Sequence, residues 1–221
     1  LPARSGLGSS SSFTAAMLAS LYIYKNKNFT NSEIADKTIH IEQNILKEKV
    51  GIQDQIQVCL GGFNLTTIFK DSSYSTLSLN NTSNIVKAID ESLILVYTGI
   101  VRNSSDIHGS NDKNLDKSLK QKSLDKINLI ANTFSEYLIN HKANFDVFSE
   151  LMQESWEAKV LTFPANKMSG KLLEIYDRGI KSGASCGKLL GAGGGGFFAF
   201  FVEKEKQKKF IESMGKLICV P

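Results

Sequence analysis

The chain has 221 residues, of which 42% are hydrophobic and 22% charged, so it can bury a real core in one or two domains and is neither disordered nor fibrous. Its net charge of +4 is mild and carried mostly by lysines spread along helical patterns, with arginine only at Arg4, Arg102 and Arg178, so no nucleic-acid stripe is drawn. The longest apolar run, 197–202, is too short to span a bilayer, no signal peptide is visible, and Cys59, Cys186 and Cys219 are spaced for neither a disulfide framework nor a zinc site; a reduced, cytoplasmic setting is the expectation.

In chain order, residues 5–12 hold two glycines and five serines, and an apolar-periodic stretch follows at once through Phe13, Ala16, Met17 and Leu21. Small flexible residues leading directly into a helix build an anion site. Glycine turns several N–H groups to one side, and the helix start adds unpaired N–H groups and a positive dipole end. Serine hydroxyls can cap the helix, bond phosphate oxygens or ligate magnesium. The segment lacks both the Walker A ending and the dinucleotide fingerprint, so it is a third kind of phosphate loop or a plain Gly/Ser linker. The embedded Pro2 and Leu7 count against the linker.

The helix is expected to run from about Ser10 to Tyr24. Thr30–Glu33 has capping-box form, and Ile34, Ile41, Ile45 and Leu46 mark the inner face of a second helix. Glu42 lies beside that face, where a lone glutamate usually meets solvent. Gly51 leads into a short helix ending near Leu60, with Asp54 in its first turn. Asp54 is either a dipole-favoured carboxylate or a catalytic one held at the serine loop. Strands are expected at 63–69 and, more weakly, 74–79, followed by a buried strand at 93–98 with a domain boundary near Glu91. A turn carrying Arg102 and a polar loop lead to long helices through Leu115–Leu138 and Phe145–Lys159, the latter with Trp156 on its core face. A helix over 172–180, strands at 185–190 and 197–203, and a last helix over 204–217 complete the chain. Helices and strands mix without βαβ alternation, which points to an α+β protein.

Between the last two of those strands, residues 191–196 carry five glycines, more than a hairpin turn needs. Apolar strands on both sides argue against a floppy loop, and the excess glycine implies close approach of a ligand or another backbone.

Three segments together carry a family resemblance. Residues 2–11 resemble the phosphate-loop motif of the kinases named for galactose, homoserine, mevalonate and phosphomevalonate, and residues 188–197 resemble their C-terminal glycine motif. Gly51-Ile52-Gln53-Asp54-Gln55 followed by Gly61-Gly62-Phe63-Asn64, with 97–102 and 156–159, is similar to the sugar-kinase branch that includes the heptose 7-phosphate kinases. The resemblance implies a two-domain α+β fold. Residues 1–91 would form part of a ribosomal-protein-S5-like ATP-binding domain and residues 92–221 a ferredoxin-like domain. It implies ATP and magnesium as cofactors, and a sugar phosphate as small-molecule partner, with no nucleic acid or membrane. Phosphate contacts would come from Ser5, Gly6, Leu7, Gly8, Ser9, Ser10 and Ser11, magnesium ligation from Ser10 and Glu42, and proton abstraction or orientation from Asp54. Gly193, Gly194 and Gly195 would line the acceptor pocket and steady the first loop, with Arg102 and Lys159 on the substrate's own phosphate. The implied reaction is phosphorylation of the anomeric hydroxyl of a heptose 7-phosphate to the 1,7-bisphosphate. The alternatives are a galactose, fucose or mevalonate acceptor, or a sugar-and-ATP-binding sensor without turnover. The family's Pro-Gly-Arg-like segment has no counterpart here, so the chain reads as a fragment that also lacks the final strand of the C-terminal domain.

Overall fold

The computed structural model describes residues 6–48, 50–79, 84–100, 117–162, 170–191 and 193–221. Ser5, Arg102, Pro164 and Ala192 lie outside them, as does the polar loop after Arg102. The chain divides into two compact units, Leu1–Asn81 and Thr82–Pro221. This division falls before the boundary expected at Glu91. The reason is a helix with no forecast in sequence, Asn84–Ser92, whose Ile85, Val86 and Ile89 are buried and which packs on the strand Phe197–Val202 of the second unit.

In the first unit, α1 spans Ser9–Tyr24, α2 spans Asn31–Ile39 and runs on as a π-helical stretch His40–Ile45, and α3 spans Gln53–Leu60. An antiparallel hairpin follows, β1 Asn64–Ile68 with β2 Tyr74–Ser78, in register Asn64↔Ser78 to Ile68↔Tyr74. The start of α2 is the expected capping box. Glu33 N–H donates to Thr30 Oγ1 at 3.2 Å, and Thr30 N–H donates to Glu33 Oε2 at 2.7 Å. The hairpin is tied to α2 by Tyr74, whose hydroxyl donates to Asp36 Oδ1 at 2.8 Å; burial and that carboxylate push the phenol up to about 12.

Two apolar stripes differ from expectation. On α1, Phe13, Ala16, Met17 and Leu21 are exposed, and the inner face is instead Ser11, Thr14 and Ala15. Small side chains let α1 sit close to α2 and α3, and that approach brings Ser11 onto the second helix. On α2, Ile34 is buried but Ile45 and Leu46 are exposed, because the π-helical turn shifts the register after Ile39.

In the second unit, α4 (Asn84–Ser92) leads into β3 (Leu93–Tyr97). Then come α5 (Lys117–Ile139), α6 (Phe145–Val160), α7 (Gly170–Lys181), β4 (Ala184–Leu189), β5 (Phe197–Val202), α8 (Gln207–Ser213) and β6 (Cys219–Val220). The sheet order is β4-β5-β3-β6, antiparallel throughout. The last helix ends at Ser213 rather than near Leu217, and β6 after it pairs Leu95 with Val220 and Val96 with Cys219. Every residue of β5 is buried, as its unbroken apolar run requires. Phe200 sits between Gly179 of α7 and Gly187 of β4, where a Cβ would lie 2.3 Å and 2.5 Å from its ring. Trp156 is in the core as expected, its ring centroid 5.1 Å from Tyr176 and 5.6 Å from Phe198. Among the described residues no helix is long and apolar enough to cross a membrane, and the three cysteines are unpaired.

Candidate active site

The opening turn enters α1 through left-handed glycine. Gly6 has φ 81° and Gly8, the N-cap, has φ 66° and ψ 22°, a conformation costly for any residue with a Cβ. No side chain caps α1, and its first turn holds no acidic residue. Ser12 N–H is the first to bond back, to Gly8 O at 2.8 Å. Ser12 Oγ donates to the same carbonyl at 2.9 Å, so that hydroxyl faces its own helix. The amides of the preceding serines open the positive end of the helix to an anion.

Two carboxylates converge on this helix start. Asp54 lies in the first turn of α3, solvent-exposed, and its Cβ and Cγ are 3.6 and 3.7 Å from where a Cβ on Gly8 would stand. That is ordinary van der Waals contact; the tight neighbour is Val58 Cγ1, 3.2 Å from the same point. Glu42 is 2% exposed, not solvated as a lone helical glutamate would be. Ser11 Oγ donates to its Oε2 at 3.0 Å, and Gln55 Nε2, from the first turn of α3, donates to the same oxygen at 2.5 Å. Its other oxygen, Oε1, is buried without a hydrogen-bond partner.

The expected residues thus fall as follows. Gly6, Leu7, Gly8 and Ser9 form the half-buried turn, and Ser10 is exposed on the first turn of α1. The serine set against Glu42 is Ser11, not Ser10, because Ser11 lies on the inner face of α1. Gln55 was not singled out from sequence, although the signal exists: it shares the buried face of α3 with Ile52 and Ile56, at a position where a polar residue needs a partner. The donors suit magnesium, which takes one or two carboxylates and fills the rest of its shell with water and phosphate oxygens. Among the described residues no group of three or more His, Cys, Asp or Glu gathers.

In the second unit, Gly191, Gly193, Gly194, Gly195 and Gly196 all have positive φ. A Cβ on Gly195 would stand 2.5 Å from Ile100 O, so the glycine excess does mark close approach of another backbone. Gly196 N–H donates to Ile100 O at 3.0 Å, and Thr98 N–H and Oγ1 donate to Gly196 O at 2.9 and 2.8 Å. Gly194 faces open space. Lys159, expected on a substrate phosphate, sends its ammonium to Leu189 O and Gly191 O, both at 2.8 Å. Those carbonyls flank the entry to the glycine turn, so the lysine clamps it. Lys188 donates to Ser155 Oγ at 2.9 Å, and burial lowers its pKa.

Family profiles match for the GHMP kinases N terminal domain over residues 1–62 and for GHMP kinases C terminal over residues 136–217. A D-glycero-alpha-D-manno-heptose 7-phosphate kinase of Campylobacter jejuni is 29% identical over 217 residues, covering 98% of this chain and 63% of that protein. A bifunctional fucokinase/GDP-fucose pyrophosphorylase of Arabidopsis thaliana is 28% identical over 214 residues, covering 94% of this chain and 20% of that protein. The crystal structure of a D-glycero-D-manno-heptose 1-phosphate kinase from Bacteroides thetaiotaomicron superposes with a TM-score of 0.74 at 22% identity, over 100% of this chain and 61% of that one, a likeness of fold alone. The chain spans less than two thirds of the length of each of these relatives.

Proposed function

We propose that this chain, which belongs to the GHMP kinase family, holds the phosphate-gripping and proton-accepting groups of a kinase that transfers the γ-phosphoryl of ATP to the anomeric hydroxyl of a heptose 7-phosphate. The observation that carries this reading is the meeting, at one uncapped helix start, of the Gly8 turn, the Asp54 carboxylate and the buried Glu42.

The amides of Ser9, Ser10 and Ser11 at the start of α1 face the terminal phosphates, with Gly6, Leu7, Gly8 and, from the sequence motif, Ser5 shaping the turn. Glu42 Oε1 and a first-turn hydroxyl, Ser10 by motif or Ser11 by contact, hold magnesium. When bound, the ion neutralises charge on the transferring phosphoryl group. Asp54 accepts the proton of the acceptor hydroxyl as its oxygen bonds phosphorus, or orients that hydroxyl, while ADP leaves. Arg102, Lys159 and Gly193–Gly195 belong to the acceptor side by motif. For Lys159 that role is indirect, through the turn it clamps. A fucose-type acceptor is the competing reading, supported by the similarity to the Arabidopsis fucokinase.

ADP release by the full-length protein across heptose 7-phosphate, galactose, fucose and mevalonate tests the acceptor. Preference for the heptose phosphate is expected, and its absence refutes that choice. Asp54→Asn should lower kcat by roughly 10²–10⁴-fold, the usual contribution of a general base. An equally fast variant removes Asp54 from the chemistry. Binding of ATP and sugar without turnover by the wild type would favour a sensor.

A further inference from the structure

We propose that Gln55 is a positioning residue for the metal carboxylate: its amide holds Glu42 Oε2 and so leaves Oε1 as the oxygen presented to a divalent cation. The inference rests on the kinase reading above and assigns a role that the catalytic scheme does not contain.

Three observations carry it. First, Gln55 is 1% exposed and its amide nitrogen donates to a carboxylate oxygen that also receives the Ser11 hydroxyl. The amide nitrogen is the donor and the carboxylate oxygen the acceptor, so the contact fixes which way both side chains face. Second, the satisfaction of Glu42 is one-sided. Two donors meet Oε2 and none meets Oε1, although both oxygens belong to a residue that is 2% exposed. Buried polar atoms are nearly always paired, so an unpaired carboxylate oxygen points to a ligand of its own. Gln55 Oε1 also has no donor, which leaves Glu42 as the described partner that accounts for burying this amide. Third, Glu42 sits in the π-helical stretch His40–Ile45, with Leu46 N–H reaching back to Ile41 O at 2.8 Å. Such π turns within α-helices recur at functional sites.

The placement links both carboxylates. Gln55 and Asp54 are neighbours in the first turn of α3, one turned to Glu42 and the other against Gly8. One short helix therefore sets the cation ligand and the proton acceptor at once. Displacing Gln55 frees the Glu42 carboxylate to rotate, and the open oxygen is no longer held in place.

The test is a calorimetric titration of Mg²⁺ into full-length protein saturated with a non-hydrolysable ATP analogue, for wild type and Gln55→Met. Loss of a partner that orients a metal ligand typically weakens metal binding about 10–100-fold. The Mg²⁺ midpoint of Gln55→Met should rise by that factor, while affinity for the analogue in EDTA is unchanged and turnover recovers at high Mg²⁺. Gln55→Asn, which withdraws the amide by one methylene, should give an intermediate midpoint and carries the comparison if Gln55→Met does not fold. An unchanged Mg²⁺ midpoint with only a lowered melting temperature overturns the positioning role. A wild type with no magnesium-dependent analogue binding overturns the kinase reading, and the role of Gln55 with it.

Discussion

Gly8 offers the sharpest test of how the turn and α3 are built together. Its φ of 66° and ψ of 22° lie in the left-handed region, which costs a residue with a Cβ about 1–2 kcal/mol. The new Cβ of Gly8→Ala would also stand 3.2 Å from Val58 Cγ1 and 3.6 Å from Asp54 Cβ, so α3 must yield by a few tenths of an ångström. A small overpacking of this kind adds about 1 kcal/mol, for a total of roughly 2–3 kcal/mol. Two neighbours separate the contributions. Gly62 has φ 69° and open space, so Gly62→Ala should show the backbone strain alone, about 1–2 kcal/mol. Gly51 has neither a positive φ nor a contact within 4 Å, so Gly51→Ala should be neutral or slightly stabilising. The sole tryptophan, Trp156, belongs to the second unit and does not report on this region. Amide hydrogen exchange of the α1 and α3 segments by mass spectrometry does. Each 1.4 kcal/mol is tenfold, so 2–3 kcal/mol should speed exchange roughly 30–150-fold in Gly8→Ala. If Gly8→Ala exchanges no faster than Gly62→Ala, the turn does not press on α3, and the closeness of Val58 to the turn adds nothing to the backbone strain at Gly8.

Lys159→Met frees the carbonyls of Leu189 and Gly191, each bonded at 2.8 Å. Steady-state kinetics of the full-length protein should show a raised acceptor KM with the ATP KM unchanged and partial rescue by Lys159→Arg; a changed ATP KM alone would refute the clamp. Gly187→Ala puts a methyl 2.5 Å from Phe200 Cδ1 and should destabilise by about 1–3 kcal/mol. Trp156 fluorescence during urea unfolding measures this, and Phe200→Leu in the same background should recover part of the loss. Tyr74 and Tyr176 are both pushed up to about 12, first by burial. The unfolded chain loses these protons near pH 10 while the folded one keeps them, so stability should fall between about pH 10 and 12. Stability measured by circular dichroism across that range checks this, and Tyr74→Phe and Tyr176→Phe variants that lose stability as steeply as the wild type would contradict it.

Much of the fold was legible because local signals were strong. The Thr30–Glu33 box, the Gly61 stop after α3 and the unbroken apolar run of β5 are each decided within a few residues, and each stands where expected. One failure is local, since Ile85, Val86 and Ile89 already have helical spacing in α4; the others are not. The α1 stripe through Phe13 and Met17 has helical spacing, yet the small face carrying Ser11 is the one packed. Ile45 and Leu46 follow the same period in sequence, but the π turn has no sequence signature to announce the shift. β6 has only two residues, too few for a periodicity of any kind.

The candidate site divides along the same line. Gly8, Asp54 and Glu42 were visible as residue types at motif spacing, but their chemistry depends on separations of 31 positions from Ser11 to Glu42 and 13 from Glu42 to Gln55. Burial reverses the ordinary expectation for Glu42. On an exposed face it would be a solvated charge with a negligible role. At 2% exposure, it costs far more than a surface carboxylate unless both oxygens are answered. Ser11 and Gln55 answer one. A helix that starts with no cap and no acid, beside a buried carboxylate with one oxygen unanswered, is destabilised on both counts by itself. Each defect is relieved by the other's ligand, an anion at the amides of α1 and a cation at Glu42, and a magnesium–polyphosphate pair supplies both together.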